Sequence, residues 1–197
     1  MILDGGMGHL LRRNGVDISG PIGTMERFRG VARANRDSPD IVLHSHLQFL
    51  RSGADVITTN TYACVPAALA TDGGGSPDDV VELLQAGGAL AARARDIAVS
   101  KGLSHARPLI AGCLPPLHET YRPDRVGDYD ELSRTYRMIV DAVAPSSDVL
   151  LCETMQSTAE AFVQTLGHRT QLVIDTNVVK CAEANGGSGA IQTGDMG

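Results

Sequence analysis

Two acidic residues stand where a carboxylate could grip a cation. Asp4 ends the apolar run MIL and opens the glycine cluster DGGMG, while Glu153 ends VLLC and opens ETM. Each follows a near-continuous aliphatic run, the composition of a strand buried on both faces, so each belongs where a strand gives way to a loop. If the two strand ends converge, the pair could hold an ammonium group by charge-assisted hydrogen bonds. The local alternatives are that Asp4 caps its own glycine turn and that Glu153 pairs with a nearby arginine. A third strand end, ADVITTNTY (54–62), carries hydroxyls, an amide and a phenol. Asn60 both donates and accepts, which suits a carboxylate or an amino group. Tyr62 offers a ring face to a cation, and Thr58 and Thr59 are equally at home as strand formers.

Other polar residues carry weaker signals. The loop PPLHETYRPD (115–124) presents His118, Glu119, Tyr121 and Arg122 and could fold over a site as a lid. His118 and Glu119 are adjacent rather than one helical turn apart, so they form no zinc helix. His44 and His46 lie two apart on a helical stretch and point to different sides, which reads as solvated or core histidines rather than a ligand pair. The four cysteines, Cys64, Cys113, Cys152 and Cys181, form no CxxC pair. They read as reduced thiols in a cytoplasm, with Cys113 and Cys152 as small buried hydrophobes.

The elements that must position these residues alternate. Strand-like runs at 1–3, 54–62, 108–116, 147–155 and 171–177 are separated by helical patterns. One helix starts near Pro39 and stops at Gly53; a second spans Ser76 to Gly102; a third covers 129–145; a short fourth follows Ser157. Strand, helix, strand at this spacing predicts an α/β fold with parallel strands. At the start, Gly5, Gly6 and Gly8 would each cost about 1 kcal/mol in a helix, which predicts a short buried strand over Met1–Leu3 followed by a turn. A doubly wound nucleotide-binding sheet would want GxGxxG there, but GGMGHL has Leu10 in place of the third glycine. A (β/α)8 barrel instead gathers chemistry at the carboxyl ends of its strands, and it needs about 250 residues. The 197 residues present supply four to five such units, an incomplete barrel over 1–179, with a glycine-rich tail over 180–197 expected to be loop or disordered.

Bulk properties narrow the partners. With 43% hydrophobic and 20% charged residues, a wholly disordered chain is excluded. A net charge of −6 argues against nucleic acid as the main partner. No apolar run approaches the roughly 20 residues of a membrane span, and no basic n-region marks a signal peptide.

Taken together and in register, DGGMG (4–8), ADVITTNTY (54–62), AGCLPPLHETYRPD (111–124) and DVLLCETM (148–155) resemble the homocysteine S-methyltransferase family over about Met1 to Leu166. The resemblance implies a (β/α)8 TIM barrel and methyl transfer from S-methylmethionine, betaine or a similar donor to the sulfur of homocysteine, giving methionine. It implies that Asp4 and Glu153 hold the amino acid part of homocysteine and that Asn60 and Tyr62 line the same pocket. Gly5 and Gly6 would let the backbone turn close to the ligand. The family uses zinc to make the thiol a thiolate at neutral pH. Its three zinc cysteines, one alone and two in a GGCC-type motif, have no counterpart here, so no zinc ligand is assigned. The expectation is therefore a methyltransferase-like chain, inactive alone, with homocysteine and a methyl donor as partners and unpaired strand edges inviting self-association. The alternatives are a non-catalytic amino-acid-binding module and a doubly wound nucleotide-binding protein.

Overall fold

The structure is a computed structural model that describes residues 1–21, 24–70, 75–104, 106–118 and 127–155, together with the backbone of strand 172–174. Four parallel strands, β1 (Val56–Thr58), β2 (Leu109–Leu114), β3 (Val149–Cys152) and β4 (Leu172–Ile174), lie side by side in chain order. The register pairs Thr58 with Ala111, Cys113 with Leu151, and Leu150 with Leu172. Because the order never reverses among the described strands, no topological switch point arises there, and a doubly wound dinucleotide site would need one. The short fourth helix, the tail and its boundary, Cys181, and the loop residues Glu119, Tyr121 and Arg122 lie outside the described residues.

The opening segment differs from expectation. Met1 to Leu3 is not a buried strand: Leu3 is 51% exposed and forms a single parallel bridge to Val56. Its backbone is nevertheless tied to β1, with Asp55 and Val56 N–H donating to Ile2 and Asp4 N–H donating to Val56 O at 3.0 Å. The segment is thus the outermost parallel position of the described sheet, with no described strand on its other side, which is why its side chains stay in water. The glycine cluster also opens a helix, α1 (Met7–Arg13), despite Gly8 in its first turn. A Cβ on Gly8 would stand 3.3 Å from a Val31 methyl, so this glycine lets two helices approach closely, and packing offsets its poor propensity.

Helix α2 (Met25–Asp37) was not legible in the sequence, because four arginines dilute its apolar stripe. Thr24 caps it by accepting from Arg27 N–H. Helix α3 (Pro39–Arg51) follows with proline in its first turn and ends before Gly53, whose φ of +94° favours glycine. After the four-residue α4 (Pro66–Leu69) comes α5 (Pro77–Ser100), where Ser76 accepts from Asp79 N–H and two acids meet the positive end of the dipole. Helix α6 (Tyr129–Val143) is capped by Asp128 and runs into a 3-10 turn, Ala144–Ser146.

These helices cover one face of the sheet. Ile57 and Ile110 pack with α3 and α5, while Leu114, Leu150 and Cys152 pack with α5 and α6. Val56, Ala111 and Leu151 form a separate small cluster on the opposite face, as alternation along the strands requires. The amino end of the sheet is pinned by Asp148, which accepts from Ile110 N–H at 2.8 Å and pairs with Arg95 at 2.8 Å and Arg107 at 3.4 Å. Burial alone would raise this carboxyl; the Ile110 N–H and the two guanidinium groups outweigh it and hold it below its ordinary value. The stability it contributes is therefore present above the unfolded-state value of about 4 and lost as pH falls through the lower folded value. Asp148→Asn should lower the thermal midpoint at pH 7, and its gap from wild type should close as pH falls below about 4, followed by circular dichroism.

Candidate functional site

At the carboxyl end of the sheet a cavity of about 460 Å3 opens between the DGG segment, the end of β1, helix α2 and the residues after β3. Asp4, Gly5, Gly6, Asn60, Tyr62 and Glu153 all line it, so the six residues singled out in the sequence are brought to one place. His44 and His118 are elsewhere: His44 bonds Gln48 on the surface of α3, and His118 lies 3.8 Å from Glu131 in the first turn of α6. His46 is fully buried with no hydrogen-bond partner on either ring nitrogen among the described residues, and burial pushes its pKa down to about 4. It is a neutral core histidine.

Asp4 is held rigidly. Thr58 N–H donates to its Oδ2 at 2.9 Å and the Thr58 hydroxyl donates to its Oδ1 at 2.8 Å. It therefore caps the end of β1 rather than its own glycine turn. Desolvation still pushes its pKa up to about 6 against these two bonds, and the nearby Glu153 carboxylate adds to the rise. Glu153 accepts from the Cys113 thiol at 3.1 Å, and its N–H continues the ladder to Leu114 O. The following residue, Thr154, has a φ of +57° and also lines the cavity. A β-branched residue there is strained by roughly 1–3 kcal/mol, a cost that turns the chain sharply beside the carboxylate.

The TTNTY stretch divides its labour in a way the sequence did not reveal. Cys113 N–H donates to Thr59 Oγ1 at 3.0 Å, and Thr61 Oγ1 donates to Cys113 O at 3.2 Å. Since each hydroxyl has one hydrogen, Thr59 must donate to Thr61 in their 2.7 Å contact, closing a buried ring that locks β1 to β2. Asn60, 4% exposed, gives one amide hydrogen to Val31 O and the other to Asn35 Oδ1. Asn35 returns the contact by donating to Asn60 O at 2.8 Å and also donates to Leu83 O at 3.0 Å. The NH2 group of Asn60 is thus committed to helix α2, and only its Oδ1 is left for a ligand, which suits an ammonium rather than a carboxylate. Tyr62 meets Phe28 edge-on, with ring centroids 5.7 Å apart.

Arg27 and Phe28 also line the cavity, and sequence reading missed both along with their helix. A usable signal existed: Thr24 as a cap followed by Phe28, Ala32 and Asn35 at helical spacing.

Among the described residues no three Cys, His, Asp or Glu side chains gather to hold a metal ion. The thiols near the site are protonated as they stand. Burial pushes Cys64 up to about 12, while burial and then the Glu153 carboxylate push Cys113 well above its ordinary range. The described residues therefore do not fit the zinc that the resemblance implies.

Comparison with known proteins agrees with the motifs. The family model described as homocysteine S-methyltransferase matches residues 1–186. The betaine-homocysteine S-methyltransferase of Drosophila melanogaster is 31% identical over 158 residues, covering 73% of this chain and 46% of that protein. Homocysteine S-methyltransferase 1 of Brassica oleracea var. italica is 28% identical over 176 residues, covering 81% and 51%. The chain spans about half the length of the curated relatives it matches. In fold it is similar to the metallated form of the homocysteine methyltransferase MmuM from Escherichia coli, with a TM-score of 0.72 at 21% identity over 95% of this chain and 60% of that one. The chain belongs to the homocysteine S-methyltransferase family.

Proposed function

We propose that the chain binds homocysteine in the Asp4–Glu153 cavity and forms the substrate-holding part of a methyl transfer from S-methylmethionine, betaine or a similar donor to the homocysteine sulfur. The observation that carries this reading is the meeting of two carboxylates in one cavity, with Asp4 desolvated enough that its pKa reaches about 6. A carboxylate in that state gains most from a cation that replaces its lost water, and the amino group of an amino acid is such a cation. The described strands are the first of a (β/α)8 barrel in this reading. The exposed Met1–Leu3 edge would accept a further strand, from a second copy or from the remainder of a barrel. Three buried free thiols suit a reducing compartment, the cytoplasm.

Turnover by the 197-residue chain alone is not expected, because among the described residues no three Cys, His, Asp or Glu side chains gather to hold a metal ion. Titration calorimetry should show binding of L-homocysteine, with no methionine formed from S-methylmethionine or betaine in the presence of zinc. Absence of homocysteine binding would sink the reading, and methionine formation with one zinc held per chain would sink the expected inactivity. A second reading, a non-catalytic amino-acid-binding module, is favoured by Cys113 donating to Glu153. It predicts that binding persists without methyl transfer even when the carboxyl-terminal half of a full-length relative is added in trans.

A further inference from the structure

The cavity holds a third charged group whose role neither the acids nor the fold explains. Arg27 sits in the first turn of α2, is 7% exposed and lines the cavity together with Asp4 and Glu153. A buried guanidinium is costly unless its donors are satisfied. Two carboxylates in the same cavity would be natural partners, yet among the described residues no hydrogen bond or ion pair engages the Arg27 side chain, while its backbone N–H donates to Thr24 Oγ1. Both Asp4 oxygens accept from Thr58 instead. The same turn of α2 carries Phe28, fixed against Tyr62, and one turn later Val31, whose carbonyl accepts from Asn60.

We propose that Arg27 is the carboxylate-binding residue of the site and sets its specificity for a zwitterionic amino acid over a simple amine. The α-ammonium would lie toward Asp4 and Glu153, and the α-carboxylate would take the fork of Arg27 as a bidentate pair. Each ligand charge then faces an opposite charge of the protein, the ammonium meeting the two acids and the carboxylate meeting the guanidinium, and the ligand carboxylate gives Arg27 an acceptor. The amide hydrogens of Asn60 are committed elsewhere, so Asn60 cannot take this role. The inference rests on the proposed amino-acid site and adds which residue selects the carboxylate.

The test compares L-homocysteine, L-methionine and 3-aminopropane-1-thiol, the decarboxylated analogue of homocysteine, by titration calorimetry on the full chain and on Arg27→Met and Arg27→Lys. Wild type should bind homocysteine about 10- to 100-fold more tightly than the aminothiol, the range of a charged hydrogen-bonded pair. Arg27→Met should lose that ratio by weakening homocysteine and leaving the aminothiol unchanged, and Arg27→Lys should restore part of it. Equal weakening of both ligands, or none, overturns the proposal, and thermal unfolding separates equal weakening from a variant that fails to fold. If wild type binds methionine but not homocysteine, the proposed function fails while Arg27 is still tested by the methionine ratio against 3-methylthiopropylamine. If no amino acid binds wild type, both fail together.

Discussion

Asp4→Asn is expected to weaken amino-acid binding by about 100-fold or more while making the folded chain harder to unfold at pH 7.5. The two effects have one origin. In the folded chain the Asp4 pKa rises from 3.8 to about 6, chiefly through burial, so the ionised form is disfavoured there relative to the unfolded chain. A raised carboxyl contributes its stability below the unfolded value and loses it as pH climbs through the folded value, so the cost is complete above about pH 6 and reaches at most about 3 kcal/mol. Asparagine removes the charge and keeps the local geometry. Its Oδ1 can accept from Thr58 N–H, and the Thr58 hydroxyl, which now donates to Asp4, can turn to accept from Nδ2. Urea unfolding at pH 4 and pH 7.5 checks this: wild type should lose stability between the two, and the variant should stay nearly level. Binding has the opposite sign. An ammonium needs the ionised carboxylate, so wild-type affinity should fall about tenfold per pH unit below pH 6 and be flat above it. A variant that unfolds more easily at pH 7.5 and still binds homocysteine would mean that Asp4 is a structural cap and nothing more.

That trade-off explains which parts of the site could be read in the sequence. Asp4 and Glu153 announce themselves because an acid at the end of an apolar run has few structural reasons to be there. The strands and helices α3, α5 and α6 were legible because runs of Val, Ile and Leu, and proline and glycine at helix ends, follow from local sterics. Other features depend on contacts between distant segments. Gly8 looks like a turn residue until Val31 is placed against it. Asn60 looks like a ligand until Asn35, 25 positions away, takes its amide hydrogen. Helix α2 stayed hidden because most of its residues are polar: only the positions facing α5 and the cavity are buried, and Arg27 and Asn35 are among them. The buried strand expected at Met1–Leu3 failed for a similar reason, since apolar residues do not determine whether a strand has a neighbour on both sides.

Gly87→Ala is expected to destabilise the chain by about 2–4 kcal/mol, although alanine is the better helix former by about 1 kcal/mol. Gly87 lies in the middle of α5, where a glycine would ordinarily be a liability. A Cβ there would stand 2.8 Å from Asn35 Nδ2, 3.0 Å from a Thr61 methyl and 3.3 Å from Asn60 O. None of these can give way alone. Asn35 Nδ2 is bonded to Asn60 O and Leu83 O, Asn60 holds Val31 O, and Thr61 belongs to the hydroxyl ring that joins β1 to β2. The missing side chain is what lets a helix touch the point where α2, β1 and the cavity wall meet, and the added methyl must push one of the three out of place. A double-mutant cycle separates this from a general loss of packing. Asn35→Ala alone leaves Asn60 without its partner and costs about 1–3 kcal/mol, but it also removes the atom nearest the new methyl. The double variant should therefore be less destabilised than the two single variants summed, by about 1 kcal/mol or more in urea unfolding. Homocysteine affinity should fall with Gly87→Ala as well, because Asn60 lines the cavity. Strict additivity, or a Gly87→Ala chain as stable as wild type, would show that α5 can retreat freely and that the asparagine clasp does not fix the wall of the site.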